Sequence, residues 1–136
     1  MRRAAAIVVA IGMLAVPAGA PAAQDQLAIG TGCFYDLVSM ADRVARECHA
    51  GQDPALAAAL TESVARLERM LLDKGYKPAD LEKNRLRQRQ ASPGSVCNSN
   101  MDQLYRAMLS QGVDKLRKDT DAIIIRPGKP TYGDCF

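Results

Sequence analysis

The sequence predicts an all-α fold: a small four-helix up-down arrangement stapled by two disulfides, with a partly extended C-terminal tail. Three observations predict it. Beyond about residue 30, apolar residues recur at the three- and four-residue spacing of helical faces. Glycine and proline stand where such faces stop and start. Four cysteines, Cys33, Cys48, Cys97 and Cys135, form an even set in a short chain.

The N-terminus precedes the helices and sets the compartment. Arg2 and Arg3 form a positive head, and Ala4 to Val16 is an uncharged apolar run of 13 residues. That length suits a signal-peptide core and falls short of the roughly 20 residues a helix needs to cross a bilayer. Ala20 and Ala22 occupy the −3 and −1 positions of a cleavage site, so residues 1–22 are expected to be removed. The alternative site, Ala18 and Ala20, would place Pro21 at +1, a poor position for cutting. The short, alanine-rich leader points to a bacterial source, hence to periplasm or medium.

The expected mature chain, residues 23–136, is about 114 residues long, enough for a single helical domain. Without Arg2 and Arg3 it carries 16 basic and 15 acidic residues, a net charge near +1. Such a balance gives no global argument for nucleic acid or a membrane surface as partner. No membrane span is expected after cleavage.

The first helix is expected over about 33–49. Phe34, Leu37, Val38, Ala41, Val44, Ala45 and Cys48 share a face, and Gly51 marks its end. The second, about 54–74, has the clearest start: Asp53 is an N-cap candidate and Pro54 suits the first helical position, which needs no N–H. Leu56, Leu60, Val64, Leu67 and Leu71 form its buried stripe, Glu62 and Arg66 pair at i,i+4 on the wet side, and Gly75 closes it. The third, about 78–90, has little apolar content beyond Leu81 and Leu86. It is expected to be the least buried.

A break at Ala91–Ser95 precedes the fourth helix, about 98–118, with Met101, Leu104, Tyr105, Met108, Leu109, Val113 and Leu116 on one face. Ser99 and Asp102 resemble a capping box, and Gly112 is a point where the helix can bend or stop. Residues 119–136 read as a tail, in which the run Ile123–Ile125 is the candidate for a short strand.

Helix geometry selects the disulfides. Cys33 and Cys48 bracket the first helix, and 15 residues at about 1.5 Å each separate them by about 22 Å, far beyond the roughly 7 Å limit for bridged Cα atoms. In an up-down bundle Cys48 and Cys97 meet at one end and Cys33 and Cys135 at the other. The pairs expected are therefore Cys48–Cys97 and Cys33–Cys135.

Little in the chain suggests chemistry. No C-x-x-C occurs, and the cysteines stand too far apart for a zinc cluster. His49, the single histidine, is expected at the C-terminus of the first helix, where the dipole favours its charged form. Met40, Met70, Met101 and Met108 read as core filler rather than metal or haem ligands. Tyr132 and Phe136 lie on the tail, where they either form a contact surface or pack on the bundle.

Lys83, Arg85, Arg87 and Arg89 are the one concentrated basic feature. On a strand all four would line one side as an anionic-ligand stripe; on a helix they spread around it. No catalytic residue, metal ligand or cofactor site is assigned. The expected function is a non-enzymatic binding or interaction protein of the bacterial envelope, of inhibitory or protective kind, whose partner is another envelope protein and not nucleic acid. The alternative is a carrier of a small apolar ligand or lipid held within the bundle.

Overall fold

Helix α1 (Thr31–Cys48) forms where Phe34, Val38, Ala41, Val44 and Ala45 fall on one side, and all five are buried. The computed structural model describes residues 29–91 and 96–130. The expected leader, the break after Ala91, and Cys135, Tyr132 and Phe136 of the tail lie outside the described residues. Among those residues the chain is all-helical, with five helices and no strand.

Helix α2 (Pro54–Asp73) begins with proline at its first position. Leu56, Leu60, Leu67 and Leu71 are buried as predicted, each contributing roughly 1.5–3 kcal/mol of hydrophobic stabilisation. Asp53 does not cap it through its side chain. The residue adopts a left-handed conformation (φ 44°), which aspartate tolerates, and its carboxylate accepts from the Tyr105 hydroxyl at 2.9 Å instead. At the other end Gly75 takes φ +94°, and the N–H groups of Gly75 and Tyr76 close onto the carbonyls of Leu72 and Leu71.

Among its described side chains, helix α3 (Pro78–Ala91) buries only Leu81 and Asn84 and leaves Leu86 46% exposed. With almost no apolar face it is attached by polar side chains. Asn84 and Gln88 donate to Asp36 of α1, and Arg85 donates to Glu68 of α2.

The expected helix over 98–118 is two helices. Helix α4 (Ser99–Gln111) is capped by Asn98, whose side chain accepts from the N–H groups of Asn100 and Met101, so the Ser99–Asp102 capping box does not form. Gly112 then adopts φ +87° and ψ 161°, a region essentially closed to other residues, and the chain turns into α5 (Val113–Ile124). The tail expected from residue 119 is therefore helical as far as Ile124. The isoleucine run is no strand: Leu116, Thr120 and Ile123 continue the helical spacing and are buried, and burial outweighs the weak strand preference of β-branched residues. Ile125, just past the helix, is 80% exposed.

Cross-helix partners give the topology. Asp42 with Thr61 and Tyr35 with Glu68 set α1 antiparallel to α2. Helix α5 descends beside α2 in parallel, since Arg117, Thr120, Asp121 and Arg126 meet Glu62, Ser63, Arg66 and Lys74 in rising order. Thus Glu62 and Arg66 do not pair with each other: each reaches across to α5. Helix α4 stays at one end of the molecule. Its residues Asp102 and Tyr105 contact His49 and Asp53, and Leu109 lines a notch with Pro54 and Leu56. The descending fourth pillar of the expected bundle is therefore α5, with α4 laid across the top.

Cys48 and Cys97 are bridged, with Cα atoms 5.5 Å apart, as helix geometry predicts. Cys33 lies at the other end of an unbroken α1, and its expected partner Cys135 is outside the described residues. One apolar cluster runs through the molecule, filled by Tyr35, Tyr105, Leu60, Leu67, Leu71 and Ile123. Met70 is buried in it, and Met40, Met101 and Met108 pack against it. The Thr120 hydroxyl, fully buried, donates to the Leu116 carbonyl at 2.8 Å, which removes the cost of placing it there.

Two outcomes follow for stability. The Cys48–Cys97 bridge spans 49 residues, and replacing both cysteines by alanine is expected to lower unfolding free energy by about 4 kcal/mol in chemical denaturation. Gly112→Ala meets no atom within 4 Å of the added Cβ, so its expected loss of about 1–3 kcal/mol is backbone strain alone; a thermal midpoint equal to that of the parent would contradict the φ assigned here.

Candidate functional site

Helical spacing gathers one set of polar side chains along the seam between α1, α2 and α3. On α1, Tyr35, Ser39, Asp42, Arg43 and Arg46 follow the i, i+4, i+7, i+8, i+11 series; on α2, Val64 and Glu68 are one turn apart; on α3, Arg85, Gln88 and Arg89 share a face. Together they line an open cleft of about 240 Å³. The cleft exists because α3 is held off by hydrogen-bonding side chains rather than drawn in by an apolar face.

Glu68 stands at its centre. Its Oε1 accepts from the Tyr35 hydroxyl at 2.9 Å and from Arg85 at 2.6 Å. Burial first, and the Glu68 carboxylate second, push the Tyr35 phenol well above its ordinary pKa, so it stays a neutral donor throughout the physiological range. Glu68 in turn raises the pKa of Arg85. Around this centre Arg43 pairs with Glu47 at 2.8 Å and Arg46 with Asp42 at 2.8 Å, while Thr61 donates to the other Asp42 oxygen at 2.7 Å. Glu82, outside the cleft, accepts from Arg89 at 3.1 Å and from Arg85 at 3.4 Å, and these arginines, Arg89 first, hold its carboxyl below the usual range.

Two buried polar atoms of this seam, Ser39 Oγ and Arg43 Nη1, are left over. Arg43 Nη1 is buried with no hydrogen-bond partner among the described residues, an arrangement that costs about 1–3 kcal/mol in folded proteins.

A second polar cluster surrounds the disulfide. His49, at the C-cap of α1, stacks on the Tyr105 ring with centroids 4.3 Å apart and an interplanar angle of 7°. Its Nε2 lies 2.7 Å from Asp102 Oδ1, and because a carboxylate can only accept, Nε2 carries the proton. Arg106 also donates to Asp102, at 2.5 Å; Arg106 first and His49 second hold that carboxyl below its usual range. Adjacent Cys48 is in a disulfide, so no thiolate is available to make a nucleophile of this histidine–aspartate pair. The cluster acts as a clamp on the end of α1.

The basic run on α3 is helical, so its one-sided strand form is not adopted. Residues two apart on a helix point about 200° away from each other, and the four split into pairs. Arg85 and Arg89 face the cleft, whereas Lys83 and Arg87 line a second groove of about 490 Å³ with Tyr76, Asn84 and Leu86. Sequence reasoning picked out half of the cleft's arginines and passed over Arg43, Arg46, Tyr35 and Glu68. The signal that would have found the first two is their position at i and i+3 on α1, one turn above the Tyr35–Ser39 pair. No group of three or more histidine, cysteine or acidic side chains among the described residues is placed to hold a metal ion. No helix among them is long and apolar enough to cross a membrane.

The Tyr105 phenol is pushed up to about 12, by burial first and the Asp53 carboxylate second. A raised acid favours its neutral form in the folded state. Its contribution is therefore complete below the unfolded value of about 10 and is lost as pH climbs from there to about 12. Tyr105→Phe is expected to cost about 1 kcal/mol at neutral pH and to flatten the fall in stability across that window, read by denaturant titration at stepped pH. Comparison of the chain with protein-family models, with curated proteins and with solved structures finds no match.

Proposed function

We propose that this chain is a non-enzymatic binding protein of the bacterial envelope, exported to the periplasm or the medium, whose partner is another envelope protein. The cleft between α1, α2 and α3 is the observation that carries the reading. Arginine is one of the residue types on which protein interfaces concentrate their binding energy, and here four arginines line an open site. Its volume of about 240 Å³ suits one or two inserted side chains.

The apolar-carrier alternative has less support. Space for a lipid would have to lie between the helices, where Tyr35, Tyr105 and the leucines of α2 pack as one cluster. The second bridge, Cys33–Cys135, belongs to the same proposal of an exported, stapled scaffold. Arg126 donates to the Ile29 carbonyl at 2.6 Å, which brings the chain beyond α5 to the end of α1 that holds Cys33.

A cross-linked pull-down of tagged residues 23–136 from the native envelope, with intact mass read on the same sample, tests the reading. One protein recovered in near-stoichiometric amount is the expected result. Recovery of the chain alone with added non-covalent mass would replace the proposal with ligand carriage.

A further inference from the structure

We infer that the α1–α2–α3 cleft is a receptor for an acidic segment of the partner protein, with Arg43, Arg46, Arg85 and Arg89 as its carboxylate-binding groups. The inference rests on the interaction reading above and specifies the chemistry of the partner. Its warrant is a donor–acceptor imbalance. The three carboxylates of the cleft are already engaged: Asp42 by Thr61 and Arg46, Glu47 by Arg43, and Glu68 by Tyr35 and Arg85. Each guanidinium, by contrast, has five N–H groups and gives only one or two of them to carboxylates of the described residues.

What the cleft has in surplus is therefore hydrogen-bond donors fixed on helices, and the complement to such a surplus is an anion with paired oxygens. The carboxylate of Asp or Glu fits the planar guanidinium fork. Two features favour an acidic stretch over a single acid. The arginines come from two helices on opposite sides of the cleft, and Arg46 and Arg89 are 66% and 50% exposed, open to a chain lying along the seam. The Arg89–Glu82 pair, exposed on both sides, offers little resistance, because exposed ion pairs exchange partners at small cost.

The test uses the mature chain, fluorescent decaglutamate and decaglutamine peptides, and two paired variants. Arg46→Ala with Arg89→Ala removes two cleft arginines; Lys83→Ala with Arg117→Ala removes the same charge elsewhere. All four residues are exposed, so the fold is retained, which circular dichroism checks. In fluorescence anisotropy the parent chain is expected to bind decaglutamate and not decaglutamine, with affinity falling as salt is raised. The cleft pair should weaken binding at least about ten-fold and the control pair less than about two-fold. Equal weakening by the two pairs, or no preference of the parent for decaglutamate, overturns the inference.

Repeating the envelope pull-down with both pairs separates the two proposals. Capture lost only in the cleft pair supports the acidic-segment receptor. Capture unchanged in the cleft pair overturns it and leaves the interaction reading standing, whereas no capture by the parent overturns both.

Discussion

The bond between Cys48 and Cys97 constrains the second half of the chain more than any other contact. It ties the start of α4 to the end of α1, so that helix must begin at the end of the bundle where α2 also starts. Around the bond, His49 lies flat on Tyr105 and holds Asp102, while Tyr105 reaches back to Asp53. These contacts keep α4 across the top instead of letting it run down α1. The left-handed turn at Asp53, the loss of its capping role and the break at Gly112 are consequences of that placement. A carboxylate drawn toward a buried phenol is not available to cap, and a helix laid across one end must turn before the chain can descend as α5.

The cleft follows from a different feature, the poverty of α3. A helix with an apolar stripe would close against α1 and α2 until its side chains interlocked. Helix α3 offers Leu81 and little else, and its remaining attachments, through Asn84, Arg85 and Gln88, are hydrogen bonds of fixed length. Polar attachment leaves a seam, and the seam is lined by whatever polar residues α1 and α2 present there. The same thin apolar content that weakens α3 as a core element therefore creates the concave, arginine-rich surface.

The apolar core and the proposed binding surface in this way occupy separate parts of the molecule. The cluster formed by α1, α2, α4 and α5 supplies the apolar burial, and a disulfide closes one end. Helix α3 sits outside that cluster for most of its length, so its exposed arginines can rearrange without disturbing the leucines of α2. The second groove, beside Tyr76 and Leu86, shares α3 but faces away from the cleft, because successive odd-numbered basic residues on a helix alternate sides.

By itself the sequence determined the helical class, the courses of α1, α2 and α3, the buried leucines of α2 and the Cys48–Cys97 bridge. Each of these depends on periodicity, local start and stop signals, or the fixed rise of a helix, all of which are short-range or one-dimensional. Tertiary structure decided the rest. Whether Gly112 bends a helix or ends it depends on where the following residues find burial, and Leu116, Thr120 and Ile123 found it against α2. Whether Asp53 caps depends on a tyrosine 52 residues away. The cleft was half legible: the α3 arginines stand out as a run, but Arg43, Arg46, Tyr35 and Glu68 are scattered through two helices, and only packing sets them around one opening. Local signals carry no record of which faces will meet, and that meeting is what makes a site.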